Sequence, residues 1–438
     1  MRKTIFALIL VLMTMIGAGL CEEPIHLIWW LPCAGDAPID WPDVEAQMNA
    51  YSAEKIGVTC EYRFLTSDQM SLAMETGEPF DIAFTSDWCN DFATNVSRGM
   101  FMDLTDRLED FPALKSSVLD MAWEGARYRE RIYAIPTMKD IGVEVFWIID
   151  TAYFHDQKGM PKDAKIDFDG IEPYLEMYKA DHPDEYPLTL DYEGIMSWDG
   201  GVADWISEEY LICLDWDAQG REDALTVKSV LDIPAFAHRL ELIHSWYEKG
   251  YINPDAAVTD LLYRREQGLI QSGAGYYGCD ILWSELCRRP TYIVRYDGPF
   301  LSTNTIRGSM TAISATTDHP EAALKLLELM DTDAHYRELA GYGIEGVHFT
   351  RNDDGTVNRI DRENMNLWNN CLGHVTLLPV EASTFPELPA DPNMWDVVFE
   401  GYKDAKMSLA MGFTFDVSPV ENECMRKECT DVLFTRTG

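Results

Sequence analysis

The chain has 438 residues and a formal net charge of −39, the difference between 35 basic and 74 acidic side chains. It is 47% hydrophobic and 12% aromatic, which is typical of a globular protein with a large core and two or three domains. This acidity excludes a general nucleic-acid-binding protein, because phosphate recognition needs a basic surface. It also argues against attachment to an anionic bilayer through charge.

Residues 1–21 have the pattern of a signal peptide. Arg2 and Lys3 precede an uncharged, mostly apolar run that ends at Cys21 and is too short to span a membrane. The mature protein is therefore expected to be exported, to the cell surface or to an extracellular or periplasmic space. Two alternatives stay open. Cys21 stands where bacterial lipoproteins carry the acylated cysteine, although Leu20 replaces the usual small residue; ordinary cleavage nearby would instead release a soluble protein.

The ten cysteines do not form a disulfide or zinc pattern. Seven of them are scattered along the chain, and only Cys424 and Cys429 lie close together. Without Cys21 an odd number remains. We therefore expect mostly free, buried thiols, and no metal or cofactor.

Five segments near the N-terminus alternate between strand and helix. In chain order they are a strand at residues 25–31, a helix begun by Asp40 and Pro42, a strand at 58–65, a helix capped by Ser67 and ended by Gly77, and a strand at 81–86. This order predicts right-handed βαβ units and a largely parallel sheet. Ligands bind at the carboxyl ends of such strands, so the loops after Leu31 and Ser86 are candidate sites.

A second block of alternating segments follows without a flexible linker. It comprises strands at 131–136 and 144–150, a helix at about 235–248 with Phe236, Leu240, Ile243 and Tyr247 on one face and Gly250 as its stop, a strand at 311–315, and a helix begun by Pro320. The pattern predicts an α/β protein with two blocks joined by short crossovers.

Six segments carry a resemblance to a known family: residues 77–84 (GEPFDIAF), 99–105 (GMFMDLT), 130–136 (ERIYAIP), 246–252 (WYEKGYI), 312–314 (AIS) and 319–323 (HPEAA). Together they resemble the extracellular solute-binding proteins of bacterial ABC importers, in the family that includes maltodextrin-binding proteins. Glu130 and Arg131 stand where the family has Gly and Lys.

Two later segments, 342–349 (YGIEGVHF) and 412–423 (GFTFDVSPVENE), are similar to a lipoprotein branch of this family whose C-terminal domain has no known function. That branch continues for several dozen residues past this point. The resemblance leaves two alternatives open at this end, a complete chain or one without the last C-terminal helices of that branch.

The resemblance implies a type 2 periplasmic-binding-protein-like fold with a ligand cleft between two α/β lobes. The first lobe would comprise residues 22–138 and 305–345, and the second residues 139–304 and 346–438. Ligand would close the lobes by hinge motion, and the closed form would be recognised by the membrane permease. The protein is expected to be a monomer and not an enzyme.

A saccharide cleft needs aromatic rings for the C–H faces of sugars and carboxylates or amides for their hydroxyls. The candidates are Trp30, Asp87, Trp88, Lys139, Asp140, Trp198, Tyr277, Asp280, Trp283, Glu345 and Trp368. Large aromatic residues are more often core, as expected for Trp246. Lys139 and Asp140 could instead form a structural ion pair, and Glu345 could support a hinge.

These observations predict a receptor that captures a small solute, with an oligosaccharide as the expected one, for an ABC importer. The alternatives are an exported carbohydrate-active hydrolase or a ligand sensor on the same fold. None of the motifs GxSxG, HExxH, GxxxxGK[ST] or GxGxxG is present. The acidic balance disfavours polyanionic glycans, but a local basic pocket could override it, and Lys139, Arg288 and Arg289 leave that option open.

Overall fold

The computed structural model describes residues 23–192, 194–195, 201–207, 211–259 and 268–414. Its strands are, in chain order, β1 (Ile25–Pro32), β2 (Val58–Leu65), β3 (Ile82–Thr85), β4 (Arg127–Tyr128), β5 (Arg131–Ile132), β6 (Ala134–Pro136), β7 (Val143–Asp150), β8 (Ala203–Ser207), β9 (Ile212–Asp215), β10 (Lys228–Ser229), β11 (Ile270–Gly275), β12 (Thr291–Leu301), β13 (Met310–Ile313), β14 (Phe349–Arg351), β15 (Val357–Arg359) and β16 (Lys406–Met407).

The α-helices are α1 (Trp41–Ile56), α2 (Ser67–Thr76), α3 (Phe92–Ser97), α4 (Pro112–Ser117), α5 (Asp120–Ala126), α6 (Glu172–Asp181), α7 (Pro234–Glu248), α8 (Asp280–Cys287), α9 (Thr303–Arg307), α10 (Pro320–Thr332), α11 (Ala334–Tyr342) and α12 (Met394–Gly401). Shorter 3-10 turns and one π-helical segment, Thr151–Gln157, complete the described structure. Among the residues described, no helix combines the length and the apolar character that crossing a bilayer requires.

The first sheet has the strand order β2-β1-β3-β13-β6. Its β2, β1 and β3 are parallel, as the βαβ pattern predicts, with α1 and α2 as the crossovers. β13 comes from far along the chain and pairs antiparallel with β3 and β6, so the prediction of a largely parallel sheet holds only for the first three strands. The α2 helix is capped by Thr66, one residue before the predicted Ser67, in a reciprocal capping box with Gln69.

The second sheet, of order β11-β7-β12-β16, is mainly antiparallel. β7 pairs antiparallel with both β11 and β12, and only β12 and β16 run parallel. Its buried cluster contains Trp147, Phe168 and Trp246, whose rings pack within 6.3 Å of one another between centroids. Trp246 is thus a core residue, as expected.

Helices cover both faces of the first sheet, so the two adjacent tryptophans of β1 are both buried. Successive residues of a strand point to opposite faces. Trp29 is fully buried in the cluster formed with α1 and α10, and Trp30 is fully buried in the cluster formed with α2 and α3.

The chain passes from the first sheet to the second at residues 137–142 and returns at residues 302–309. These two crossovers lie side by side, because Ser309 Oγ is hydrogen-bonded to Thr137 Oγ1 over 2.9 Å and the Thr137 N–H donates to the Ser309 carbonyl over 3.0 Å. Their pairing gives the junction between the sheets a defined geometry.

The region after α11 contacts both sheets. Met365, Leu372, Val398 and Tyr402 are buried in the core cluster of the first sheet, whereas β16 extends the second. The lobe boundaries implied by the resemblance remain a prediction.

Several local expectations are confirmed with small shifts. The predicted helix at about 235–248 is α7, and Gly250 follows it with φ of +71°. Of its predicted face, Phe236 is buried, but Leu240 and Tyr247 are exposed. The seven cysteines that the structure describes form no disulfide with one another, and six of them are buried. Cys21, Cys424 and Cys429 lie outside the described residues.

The predicted strand at 131–136 is divided in two. β5 pairs with β4 in a hairpin, and β6 joins the first sheet. The turn between β4 and β5 consists of Arg129 and Glu130, with φ of +47° and +66°. Such a two-residue turn needs positive φ at both positions, which explains why the family has Gly where this chain has Glu130.

Candidate functional site

A cavity of about 620 Å³ lies where the two sheets and the region after α11 meet. The first sheet contributes Trp88, Lys139, Gly308 and Ser309, and α8 of the second contributes Leu282. The remaining lining comes from residues 359–371 and from Glu381. This volume is in the range of small-molecule sites, which occur preferentially between domains and at the carboxyl ends of strands.

Trp88 is placed by the tight loop that follows β3. The buried Ser86 hydroxyl accepts hydrogen bonds from the N–H groups of Trp88 and Cys89 over 3.3 and 2.9 Å. The buried Asn90 amide donates to the Phe84 carbonyl over 2.7 Å. The Trp88 indole N–H donates to the Gly308 carbonyl over 2.8 Å, while the side chain stays 51% exposed. The loop therefore presents the ring in a fixed orientation.

Trp368 faces it from the other wall of the cavity. It is 40% exposed, and its ring centroid lies 6.0 Å from that of Trp88 at an interplanar angle of 56°. The chain after Trp368 is anchored by Arg337, which is fully buried and donates to the Asn369 carbonyl over 2.8 Å. Ser309 also donates to the Asn370 carbonyl over 2.7 Å. The tryptophan pair, Trp88 and Trp368, is thus built on two anchored segments.

The polar lining supplies amides and charges. The side-chain amides of Asn366 and Asn370 line the cavity and make no hydrogen bond to any residue that the structure describes. Lys139 forms an ion pair with Asp140 over 3.1 Å. Arg359 and Arg362 both contact Glu381. Aromatic faces beside free amides are the combination that sugar rings and their hydroxyls require.

A neighbouring cavity of about 260 Å³ continues the first. The two share a border formed by Leu282, Arg362, Asn369, Asn370 and Glu381. The second is also lined by Tyr276 and Trp395, whose rings lie 5.0 Å apart between centroids. We call both together the cleft.

No protein-family model matches the chain. The chain is 24% identical over 412 residues to a carbohydrate ABC transporter substrate-binding protein of Streptococcus pneumoniae serotype 4, a match that covers 89% of this chain and 78% of that protein. Among solved structures it is similar to the N-glycan transport solute-binding protein NgtS of Streptococcus pneumoniae, with a TM-score of 0.76, 20% identity, and coverage of 92% and 90% of the two chains.

The same protein in complex with Man5GlcNAc gives a TM-score of 0.66 at 19% identity, with coverage of 91% and 87%. The chain has the two-lobed fold of the solute-binding proteins. The fold expected from the motifs is thereby confirmed, as is the resemblance itself.

The structure brings together three of the sequence-derived candidates for the binding site, namely Trp88, Lys139 and Trp368, with Asp140 paired to Lys139. Asp87 is exposed in the same loop as Trp88 and interacts electrostatically with the buried Arg307. Their contact with ligand remains a prediction.

Two other candidates are corrected, because both are core residues. Trp30 packs on Phe80 with ring centroids 4.6 Å apart, since the face of β1 that was expected to reach the cleft is covered by α2. Trp283 is buried over Gly273, where a side chain would lie 2.2 Å from the indole ring.

The remaining candidates are absent from the lining of the two cavities or lie outside the described residues. The Tyr277 hydroxyl donates to Asp391 over 3.3 Å, and Glu345 forms an ion pair with Arg351 over 3.1 Å. Asp280 begins α8, where burial raises the pKa of its carboxyl group. Trp198 lies outside the described residues.

Sequence reasoning missed Arg362, Asn366 and Asn370, which lie in an irregular segment without hydrophobic periodicity. A signal was nevertheless present, because the segment 364–370 (NMNLWNN) surrounds Trp368 with four asparagines. Asparagine is mostly exposed, so a cluster of amides around one aromatic residue indicates a surface segment.

Proposed function

We propose that this protein is the extracellular solute-binding component of an ABC importer and that it binds an oligosaccharide in the cleft without chemically changing it. The observation that carries the proposal is the tryptophan pair beside the unoccupied hydrogen-bonding capacity of Asn366 and Asn370. The names of the relatives support it, since one is a carbohydrate substrate-binding protein and another is described in complex with Man5GlcNAc.

The crossovers support a closing motion driven by ligand. Lys139 belongs to one crossover and Gly308 and Ser309 to the other, and all three line the cavity. A ligand in the cleft would therefore touch these two crossovers as well as the walls. Hinge closure is the usual response of two-lobed binding proteins to such contacts.

The partners and the location follow from the same proposal. We propose that the closed monomer delivers its ligand to the membrane subunits of the importer. Export depends on the signal sequence, and Cys21 is the proposed point of lipid attachment. Mass spectrometry of the mature N-terminus distinguishes an acylated Cys21 from a simply cleaved chain.

The test is thermal unfolding of the full mature chain against a panel of neutral and acidic oligosaccharides that includes Man5GlcNAc. A ligand at 100 times its dissociation constant should add about 2.7 kcal/mol to the free energy of unfolding. A shift with at least one glycan, together with no new reducing ends after prolonged incubation, is the expected result. New reducing ends would show a hydrolase, and a flat response of cooperatively melting protein to the whole panel would contradict oligosaccharide binding.

A further inference from the structure

The larger cavity of the cleft is lined by more basic than acidic side chains, whereas the smaller cavity adds the acidic Glu285. In a chain of net charge −39, the charged residues that line the larger cavity are Lys139, Arg359, Arg362 and Glu381. Even when Asp140 is counted as the partner of Lys139, this group keeps one surplus positive charge. A positive lining inside an acidic protein is unexpected for a site that binds only neutral ligands.

The two arginines have different roles. Arg359 is a structural residue, because its side chain is only 6% exposed, donates to the Met365 carbonyl and lies over the Tyr342 ring at 4.9 Å. Its ion pair with Glu381 spans 3.3 Å. Glu381 is therefore already neutralised by a buried partner.

Of the two arginines, Arg362 is the one that is available to bind a ligand. Its side chain is 54% exposed, and Glu381 is its only ion-pair partner among the residues that the structure describes. It lines both cavities and so lies at the middle of the cleft. A guanidinium group presents five N–H donors in a planar fork that matches a carboxylate, and one contact with Glu381 leaves most of them unused.

We propose that the cleft selects an oligosaccharide that bears a carboxylate, such as a sialic acid or a uronic acid residue, and that Arg362 binds this carboxylate. The proposal rests on the proposed function, because it names the class of sugar for the same site. A second carboxylate beside Arg362 is tolerated since Glu381 keeps Arg359 as its partner. Charged hydrogen bonds of this kind are about twice as strong as neutral ones.

The net charge of the protein also limits how many carboxylates we expect its ligand to carry. The negative field of the whole protein repels a long polyanion, whereas a ligand with one carboxylate gains the local attraction at Arg362 with little of that repulsion. We therefore expect an oligosaccharide with a single acidic residue to bind more tightly than a polyuronate of the same length.

The experiment compares matched ligand pairs by calorimetry on the full mature chain. One pair is 3′-sialyllactose and lactose. The other pair is trigalacturonate with one free carboxylate and two methyl esters, and the same trisaccharide with all three carboxyl groups methyl-esterified. At least one acidic probe should bind about tenfold more tightly than its neutral partner. Arg362→Gln should abolish this preference, and Arg362→Lys should retain part of it because the charge remains.

Arg351→Gln is the matched control, since Arg351 is a similarly exposed arginine that pairs with Glu338 and Glu345 away from the cleft. It should leave both affinities unchanged. Equal or tighter binding of the neutral partners, binding of Man5GlcNAc with no response to any acidic probe, or retention of the acid preference in a folded Arg362→Gln variant would overturn the inference while oligosaccharide binding stands. Failure of every glycan to bind would overturn the proposed function itself.

Discussion

Trp88 and Trp368 come from distant parts of the chain, and their rings meet 6.0 Å apart at an angle of 56°. One ring follows a strand of the first sheet, and the other belongs to an irregular segment held by the buried Arg337. Each keeps a substantial exposed face. Rings at this distance contact each other, so their exposed faces together form one angled, anchored surface on which a sugar can stack with little reorganisation.

Removal of either ring should weaken oligosaccharide binding more than it weakens the fold. We expect Trp88→Ala and Trp368→Ala each to reduce affinity by about 1–2 kcal/mol, roughly tenfold, because each deletes a half-exposed aromatic face. Calorimetric titration with the best ligand of the panel measures this. Tyr247→Ala is the control, because Tyr247 is also half-exposed and also donates to a backbone carbonyl, that of Pro254. Unchanged affinity in both tryptophan variants would place the ligand elsewhere.

Glu130→Gly should stabilise the protein. A non-glycine residue in the left-handed region costs about 1–2 kcal/mol, whereas the extra freedom of glycine in the unfolded chain costs about 0.5–1 kcal/mol. The expected gain is therefore roughly 0.5–1 kcal/mol, seen as a higher denaturant midpoint. The matched substitution Gln47→Gly, at an exposed position within α1, should instead lose about 1 kcal/mol. A lower denaturant midpoint for Glu130→Gly would mean that the Glu130 side chain makes a contact that stabilises the fold by more than the backbone strain destabilises it.

Asp331 should make the stability of the protein fall as pH rises. Burial on α10 raises the pKa of its carboxyl group to about 7 from 3.8, although the charge of Arg337 opposes the shift. Between these values the folded state binds more protons than the unfolded one, so the stabilising contribution is complete below about pH 4 and lost as pH rises through 7.

Asp331→Asn should therefore be more stable than the parent protein at pH 8, by roughly 2–4 kcal/mol, and nearly equal to it at pH 4. Denaturant titrations at several pH values measure the difference. Asp353→Asn removes one exposed negative charge and serves as the control for net charge. A difference between Asp331→Asn and the parent that does not change with pH would show that Asp331 is not the titrating group.

Arg307 fixes the C-terminal end of the described chain to α5 and β4. Its buried guanidinium donates to the carbonyls of Gly125 and Arg127 and to the Thr414 hydroxyl, the first over 3.0 Å and the last over 2.7 Å. Arg307→Met would leave these buried acceptors without a donor and should cost about 3 kcal/mol or more in the free energy of unfolding. The exposed Arg98→Met should be nearly neutral. Equal denaturant midpoints for the two variants would contradict this role.

The strands and helices of the first sheet could be read from the sequence because local patterns determine them. β2 was predicted to the residue, and Gly77 was recognised as the residue that ends α2. The position of β13 could not be predicted, because insertion of a distant strand depends on packing against β3 and β6 rather than on any local pattern.

The binding site was predicted only in part for the same reason. Trp88 follows a strand, and its place in the cleft follows from topology. Trp30 and Trp283 look similar in sequence, but whether an aromatic residue faces solvent depends on what covers it. Arg362 and Asn366 lie in a segment whose path is determined by the buried Arg337 and by β14 and β15, and none of these contacts is local.

The hydrogen bond from the Trp88 indole to Gly308 determines which features of a sugar this ring can distinguish. Its single donor is already engaged with the backbone. Trp88 therefore offers only its face, and a face senses whether a sugar has a flat patch of C–H groups but not which hydroxyl is axial. Discrimination between epimers then falls to Asn366 and Asn370, whose amides can both donate and accept. Relatives that exchange these two residues while retaining the tryptophan should have changed their preferred stereoisomer without losing the ability to bind sugar.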